Sequence, residues 1–177
     1  MKVELDAIEE TAKLLYIRAL KVLPDDIKEG FRRLDAAETD ATGKSVLATM
    51  IRNIDVAEDT DNLLCQDTGI PIYNITIGRG VEVDGIDLKA AIRKGCERAT
   101  KEYPLRSSVV HPVTRVNEHT SCGYRIPVIN IDFSDHADEL VIEMIPKGSG
   151  SENGSFLKMC IPAEGVAGIM TFVIDRV

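Results

Sequence analysis

A short segment near the middle of the sequence gathers groups that could carry chemistry. Residues 64–71 are LCQDTGIP, so a thiol, an amide, a carboxylate and a hydroxyl follow one another from Cys65 to Thr68. The glycine and proline that follow prevent a helix or strand from continuing through them. Polar turns between regular elements often hold functional groups, but an ordinary surface turn with one buried cysteine, in which Asp67 caps backbone amides, has the same composition.

Two arginines in a second segment could bind a carboxylate. Residues 105–117 are LRSSVVHPVTRVN and contain Arg106 and Arg115. A guanidinium donates two parallel hydrogen bonds to a carboxylate, which suits it to fix a dicarboxylic acid. The prolines and short apolar pairs predict an extended, irregular segment. Taken alone, the two arginines are better interpreted as solvated side chains.

A glycine–serine loop, KGSGSEN at residues 147–153, is the third candidate. Small residues let backbone N–H groups come close to an anion or to the sulfide of a cluster. The same composition is typical of a flexible linker.

The elements that must position these segments are predicted from periodicity. Apolar residues at three- and four-residue steps indicate a helix that ends at Pro24, a second capped by Asp25 or Asp26, and a third restarting near Gly43 and Ser45. We interpret residues 1–62 as a helical layer that could cap the fold or form a dimer.

After the 64–71 turn the periodicity changes to two. Residues 70–78 are predicted to form a strand, and Asp87 to cap a helix that ends at Glu102. Residues 126–133 and 140–145 are expected to be an antiparallel pair of strands, and a last helix to begin at Pro162. The result is an α+β fold, in which the helical layer precedes a mostly antiparallel sheet with packed helices, in a single domain spanning residues 1–177 with the site motifs in 63–177.

Composition excludes several classes of protein. The 177 residues carry a formal net charge of −8, which argues against nucleic-acid binding. No run of 18 apolar residues could span a membrane, and the acidic N-terminus does not resemble a signal peptide, so we expect a cytoplasmic protein. The cysteines, at positions 65, 96, 122 and 160, form no CxxC pair, and we expect Cys96 to be a core residue. A zinc site using Cys65, Cys122 and a histidine lacks suitable ligand spacing.

Four motifs together resemble one enzyme family. The CQDTGIP turn, the arginine segment (similar to LRP-x-x-V-x-D-P-L-T-R-x-N), the KGSGSEN loop and a downstream PAEG occur in the same order in the alpha, or N-terminal, portion of class I iron–sulfur fumarate hydratases and L-tartrate dehydratases. The resemblance covers about residues 60–177.

The resemblance implies roles for individual residues. Cys65 corresponds to one of three cysteines that hold a [4Fe–4S] cluster, whose fourth iron acts as a Lewis acid on the substrate. Gln66 and Asp67 would contact the substrate and take part in catalysis, and Arg106 would bind a carboxylate. The remaining implied contacts lie in the glycine–serine loop, with Gly148 and Ser149 as substrate-binding positions and Lys147 and Asn153 in support.

The sequence also departs from the family pattern. His111 stands where the family commonly has aspartate, and the roles of Arg115 and Asn117 are left open. The other two cluster cysteines of the family lie downstream of PAEG, one of them in a Cys-Pro-Pro stretch. The chain ends before both, so we expect it to be the N-terminal piece of an alpha subunit that is inactive alone and works with a beta subunit or C-terminal domain, in a homo-oligomer of alpha or alpha/beta units.

The expected reaction is the reversible dehydration of a small hydroxy-dicarboxylate, with malate to fumarate preferred. Dehydration of L-tartrate is the alternative within the same class of enzyme. A non-catalytic assembly module that keeps the fold is the alternative from a different class.

Overall fold

The computed structural model describes residues 2–135, 138–148, 150 and 154–176. The order of elements is helices first, then strands with one helix between them, then a short 3-10 helix and a final helix. Their bounds are α1 Leu5–Lys21, α2 Asp25–Ala37, α3 Ala41–Asp59, β1 Ile70–Gly78, α4 Gly85–Glu102, β2 Val128–Ser134, β3 Leu140–Lys147, the 3-10 helix Pro162–Glu164 and α5 Gly165–Ile174.

The core lies between two helices and the sheet. Helix α1 buries a residue every four positions, at Ile8, Ala12, Tyr16 and Leu20. This spacing keeps the four side chains on one face. They pack against the buried face of α4 and against Tyr73 and Ile75 of β1. The hydroxyl of Tyr73 donates a 3.0 Å hydrogen bond to the Ala12 carbonyl, which ties the sheet to α1.

A glycine allows α1 and α4 to approach closely. A Cβ atom added to Gly95 of α4 would lie 2.3 Å from the Glu9 carbonyl oxygen and 2.8 Å from the Cβ of Ala12. At the edge of the same contact, Glu9 is only 7% exposed and its carboxylate pairs with Lys94 at 2.6 Å and with Arg98 at 2.8 Å.

The sheet has three strands in the order β2-β1-β3. Strand β1 pairs with β2 in parallel, from Ile72 opposite Val128, and with β3 in antiparallel, from Ile70 opposite Lys147. The α+β class is confirmed, with a mixed sheet.

The expected antiparallel pairing of the last two strands with each other is wrong, because β1 lies between them. Strand β1 takes the central place since it carries the fully buried residues Tyr73 and Ile75. Five residues, 135–139, join β2 to β3. An extended chain of that length spans about 17 Å, enough to cross two strand spacings of about 4.8 Å each.

Three helix starts also differ from expectation. The N-cap of α2 is Pro24, and neither Asp25 nor Asp26 caps it, since both lie in the first turn of the helix. Asp84, not Asp87, caps α4, since its carboxylate accepts the amides of Ile86 and Asp87. Asp40 caps α3 three residues before the predicted Gly43, whose amide it accepts. Side chains that bond amides two and three residues ahead identify the cap, and Asp84 and Asp40 both do so.

The other helices are less embedded. Helices α2 and α3 pack mainly on each other, and α5 mainly on the 3-10 helix before it. Both groups expose large apolar side chains, such as Leu34 at 58%, Met50 at 43% and Val166 at 72%. In the described part of the chain, none of the helices combines the length and the apolar character needed to cross a bilayer.

Candidate functional site

The 64–69 turn is anchored from beneath by the helical layer. The Leu64 amide donates to the Leu20 carbonyl at 2.9 Å, and the Asn53 side-chain amide donates to the Leu64 carbonyl at 3.0 Å. The hydroxyl of Tyr16 donates to the Thr68 carbonyl at 3.3 Å. Burial raises the pKa of Tyr16 to about 12, so this hydroxyl stays protonated and remains a donor. The helices therefore support the turn, a role that the sequence did not indicate for them.

Gly69 brings the glycine–serine loop onto the turn. Its φ is +66°, and an added Cβ would lie 2.4 Å from the Lys147 carbonyl oxygen and 3.0 Å from the Gly148 nitrogen. Only glycine fits such a backbone contact in a left-handed conformation. A Cβ on Gly148 would in turn lie 3.2 Å from Oδ2 of Asp67. Two motifs that are about 80 residues apart in sequence thus meet, as the resemblance implies.

Asp67 is at the centre of this contact. Its Oδ1 accepts the Gly69 amide at 3.1 Å and the Ser108 hydroxyl at 3.3 Å, and lies 4.0 Å from Nη2 of Arg106. The first of these bonds is the Asx-type turn that the sequence suggested. Asp67 is half-buried and faces the second and third motifs at once. A turn role and a site role are therefore compatible.

Arg106 lies across the turn from the glycine–serine loop. Its Nε donates to the Gln66 carbonyl at 3.2 Å, and its own carbonyl accepts the buried hydroxyl of Thr68. The side chain is 63% exposed, which leaves the guanidinium open to a ligand. Gln66 is likewise exposed beside it. Backbone bonds therefore place the Arg106 guanidinium next to the Asp67 carboxylate.

Cys65 is exposed at the mouth of the turn, and its sulfur accepts the Asp67 amide at 3.4 Å. An exposed sulfur that receives an N–H bond fits a thiolate ligand of an iron–sulfur cluster. Among the described residues, however, no group of three His, Cys, Asp or Glu side chains could hold a metal ion. The chain therefore fits the cluster at one position, and the described residues do not complete the ligand set.

The remaining cysteines lie in different surroundings. Cys96 is fully buried in the core, as expected, Cys122 is half-buried beside α4, and Cys160 is exposed in the stretch before the 3-10 helix. Ser149 and Asn153, the other predicted residues of the glycine–serine loop, lie outside the described residues.

The rest of the arginine segment braces Arg106. Asn117 donates its side-chain amide to the Ser107 carbonyl at 2.8 Å and accepts the His119 amide at 2.8 Å. The Ser107 hydroxyl accepts the amide of Ser121 at 3.1 Å. Asn117 thus has a positioning role. Arg115 is exposed and has a φ of +61°. Among the described residues, its side chain forms no ion pair with the 64–69 turn.

His111 acts as a hydrogen-bond acceptor for a turn. Its Nδ1 accepts the amides of Val113 at 3.3 Å and Thr114 at 3.1 Å. A carboxylate oxygen can accept the same two amides, which explains physically how histidine can stand where the family commonly has aspartate.

The sequence missed two supporting residues. Ser108 carried no signal beyond being polar and close to Arg106. Tyr16 resembled an ordinary member of an apolar helix face, and only the three-dimensional packing shows its hydroxyl beneath Thr68.

Comparison with known proteins places the chain in a family. Residues 9–177 match the fumarate hydratase (fumerase) family. A protein of Methanocaldococcus jannaschii, provisionally named an L(+)-tartrate dehydratase alpha subunit, is 40% identical over 172 residues, which cover 96% of this chain and 60% of that protein. The L(+)-tartrate dehydratase alpha subunit of Escherichia coli strain UTI89 is 30% identical over 155 residues, covering 88% of this chain and 51% of the relative.

The chain thus spans between half and two thirds of the length of these relatives. The match nonetheless takes in all three segments that meet at the turn, and it extends over nearly the whole sequence. This chain belongs to the fumarate hydratase (fumerase) family.

Proposed function

We propose that this chain is part of the alpha subunit of an iron–sulfur hydro-lyase that removes water from a small hydroxy-dicarboxylate. The observation that carries the proposal is the meeting of Asp67, Arg106 and the Lys147–Gly148 backbone around one exposed turn, in a chain of this family. A fixed guanidinium, a carboxylate and an amide on one rim are the groups that hold a dicarboxylate in a single orientation.

Each residue has a defined task in this proposal. Arg106 binds one substrate carboxylate through its terminal nitrogens, while Nε stays on the Gln66 carbonyl. Gln66 and Asp67 hydrogen-bond the substrate's hydroxyl and second carboxyl group. Gly148 lies close to the substrate because no side chain separates its backbone from Asp67. For Ser149, a substrate contact is proposed from the resemblance alone.

Cys65 would hold the cluster as one of its thiolate ligands. When bound, a [4Fe–4S] cluster with an open iron supplies a Lewis acid for the departing hydroxyl. The remaining ligands, and the base that removes the proton, would come from outside the described residues. A beta subunit or a further part of the alpha subunit is the proposed source, and we predict that the chain alone is inactive.

L(+)-tartrate is the proposed substrate rather than malate. Relatives matching 88–96% of this chain are named L(+)-tartrate dehydratase alpha subunits, which favours tartrate over the malate expected from sequence. The reaction would remove one hydroxyl and the proton on the neighbouring carbon to yield oxaloacetate and water. A cytoplasmic location and assembly into a homo-oligomer stay predictions.

The test compares both substrates in a complete enzyme. A full-length alpha subunit containing this sequence is reconstituted anaerobically with iron and sulfide, mixed with its beta subunit, and assayed with L(+)-tartrate and with malate. We expect kcat/KM to be at least about tenfold higher for tartrate. Higher activity on malate would indicate a fumarate hydratase subunit instead. Iron loading without activity on either substrate would favour a non-catalytic assembly module.

A matched pair of variants tests the role of Arg106. Arg106 and Arg32 are almost equally exposed, at 63% and 62%, but Arg32 lies on α2 and pairs only with Glu29 among the described residues. We expect Arg106→Gln to raise KM for the dicarboxylate by about tenfold to a hundredfold, since a charge-assisted pair contributes about 1.5–3 kcal/mol. Arg32→Gln should leave KM unchanged. Equal effects of the two substitutions would contradict a substrate-binding role.

A further inference from the structure

Two cysteines away from the candidate site lie side by side. Cys96 is in α4 and is fully buried, and its thiol donates to the Ser121 carbonyl at 3.8 Å. Cys122, the next residue, is half-buried, and its thiol donates to the Arg93 carbonyl at 3.6 Å, one turn before Cys96. Each side chain thus reaches the backbone next to the other.

Their surroundings make the two sulfurs unequal. The neighbouring Cys96 thiol holds the pKa of Cys122 below its usual range, and the nearby Arg93 guanidinium acts in the same direction. The same contact, together with burial, raises the pKa of Cys96. A thiolate-prone, accessible cysteine beside a protected thiol is the arrangement in which the first reacts with an oxidant and the second resolves the product.

We propose that Cys96 and Cys122 form an oxidisable dithiol that closes to an intramolecular disulfide when a peroxide reacts at Cys122. The Cys122 thiolate attacks one oxygen of hydrogen peroxide, the O–O bond breaks, and a sulfenic acid and hydroxide form, the hydroxide taking up a proton to become water. The sulfur of Cys96 then attacks the sulfenic sulfur, its proton leaves with the hydroxyl as a second water, and the S–S bond forms. Two thiols are oxidised and one peroxide is reduced.

The bond would fasten a loop that braces the candidate site. Arg93 already donates to the carbonyls of Gly123 at 3.2 Å and Ile126 at 2.6 Å, which holds the loop on α4. The Ser121 amide donates to the hydroxyl of Ser107, next to Arg106. A covalent link at Cys122 therefore acts one residue from a contact that positions the arginine segment. This chemistry is independent of the proposed dehydration and does not involve Cys65.

The experiment maps all four cysteines in the full chain. The reduced protein is treated anaerobically with a few equivalents of hydrogen peroxide, the remaining thiols are alkylated, and peptides are identified by mass spectrometry. We expect a 96–122 cross-linked peptide at least about tenfold more abundant than any other cysteine pair, and its loss after dithiothreitol. Exposed Cys160 serves as an internal reference.

Two single variants separate the roles of the sulfurs. In Cys96→Ser, Cys122 should pass beyond sulfenic acid to sulfinic acid, because no resolving thiol remains. In Cys122→Ser, Cys96 should stay reduced because it is buried. Circular dichroism tests whether each variant folds. Because Cys122 is only half-buried, Cys122→Ser is expected to fold and keeps the test valid if Cys96→Ser does not. Oxidation of Cys160 before any 96–122 cross-link forms, or equal sulfinic acid at Cys122 in wild type and in Cys96→Ser, would overturn the proposal.

Discussion

Asp67 combines a structural bond with a negative charge that faces Arg106, and a suitable substitution can separate the two. The carboxylate accepts the Gly69 amide at 3.1 Å through Oδ1, a bond that an asparagine oxygen can also accept. Asparagine removes the negative charge beside Arg106 and keeps the turn. The consequences for folding and for activity should therefore differ.

We predict that Asp67→Asn lowers kcat/KM of the assembled enzyme by about 10²–10⁴, the usual contribution of a group that handles a proton or orients a reacting bond. The melting temperature should change little, since Gly69 and Ser108 retain an acceptor. Steady-state kinetics and thermal unfolding on the same preparation test this. A variant that keeps wild-type activity would remove Asp67 from the catalytic groups and leave it as a turn residue.

Gly69 is the residue at which backbone geometry decides whether the site forms. With φ +66° and the Lys147 carbonyl oxygen 2.4 Å from an added Cβ, alanine at this position meets both strain and a clash with backbone. The strain of a left-handed non-glycine residue alone costs about 1 kcal/mol or more.

We predict that Gly69→Ala lowers the free energy of unfolding by at least about 2 kcal/mol, or roughly 4–8 °C in melting temperature. The matched control is Gly30→Ala in the middle of α2, where nothing lies within 4 Å of an added Cβ. That substitution should stabilise the protein by about 0.5–1 kcal/mol, because alanine favours a helix. Similar losses at both positions would show that the contact between turn and loop contributes little.

At the scale of elements, an ion network joins α1 to α4. Glu9 is 7% exposed, and a hydrogen bond from Lys94 holds the pKa of its carboxyl below the ordinary value of 4.5, against the opposing effect of burial. Arg98 and Lys13 lower the pKa of Glu102 to about 2. Because the folded protein binds these protons more weakly than the unfolded chain, the network stabilises the fold above about pH 4.5, and that stabilisation is lost as the pH falls towards 2.

Replacing Glu9 should therefore matter at neutral pH and cease to matter in acid. We predict that Glu9→Gln lowers the melting temperature at pH 7 by on the order of 2–6 °C, and that the difference from wild type shrinks steadily below pH 4.5. Glu29→Gln, which removes an exposed ion pair with Arg32 on α2, is the control and should change little at either pH. A pH-independent difference at Glu9 would point to packing rather than charge.

The elements themselves could be predicted far better than their arrangement. Helices α1, α3 and α4 and strand β1 follow from apolar spacing, because residues on one buried face must recur with the period of the element. The order β2-β1-β3 could not be predicted, since the five-residue connection allows β2 and β3 either to pair with each other or to lie on opposite sides of a third strand. The cap of α4 is predicted at Asp87 instead of Asp84 because both aspartates lie within one turn of the helix start.

For the site, a similar division holds. The motif residues Cys65, Asp67 and Arg106 could be predicted as candidates because their types and spacing resemble a family. Their supporting contacts were not, since Tyr16 and Ser108 reach the turn through tertiary packing that leaves no periodic signal. The proximity of Cys96 to the segment that holds Cys122, 26 positions later, is likewise visible only in three dimensions.

Across the whole molecule, burial is uneven. Helices α1 and α4 and strand β1 share one core, whereas α2 and α3 contact mainly each other and α5 contacts mainly the 3-10 helix. Elements with few tertiary contacts open at lower free energy than the core around which a fold is built. The described structure therefore implies a hierarchy of local stability rather than one uniform unit.

We predict that amide hydrogen exchange at neutral pH is slowest in α1, α4 and β1, with opening free energies near the global value. Exchange should be faster by about a hundredfold or more in α2 and α5, equal to at least about 2.7 kcal/mol less protection. Measurement by mass spectrometry at two protein concentrations distinguishes local opening from association. If α2 or α5 is as protected as α4 and this protection falls on tenfold dilution, their exposed apolar faces are covered by a second chain. If the protection is equal and does not change on dilution, the proposed hierarchy of local stability is contradicted.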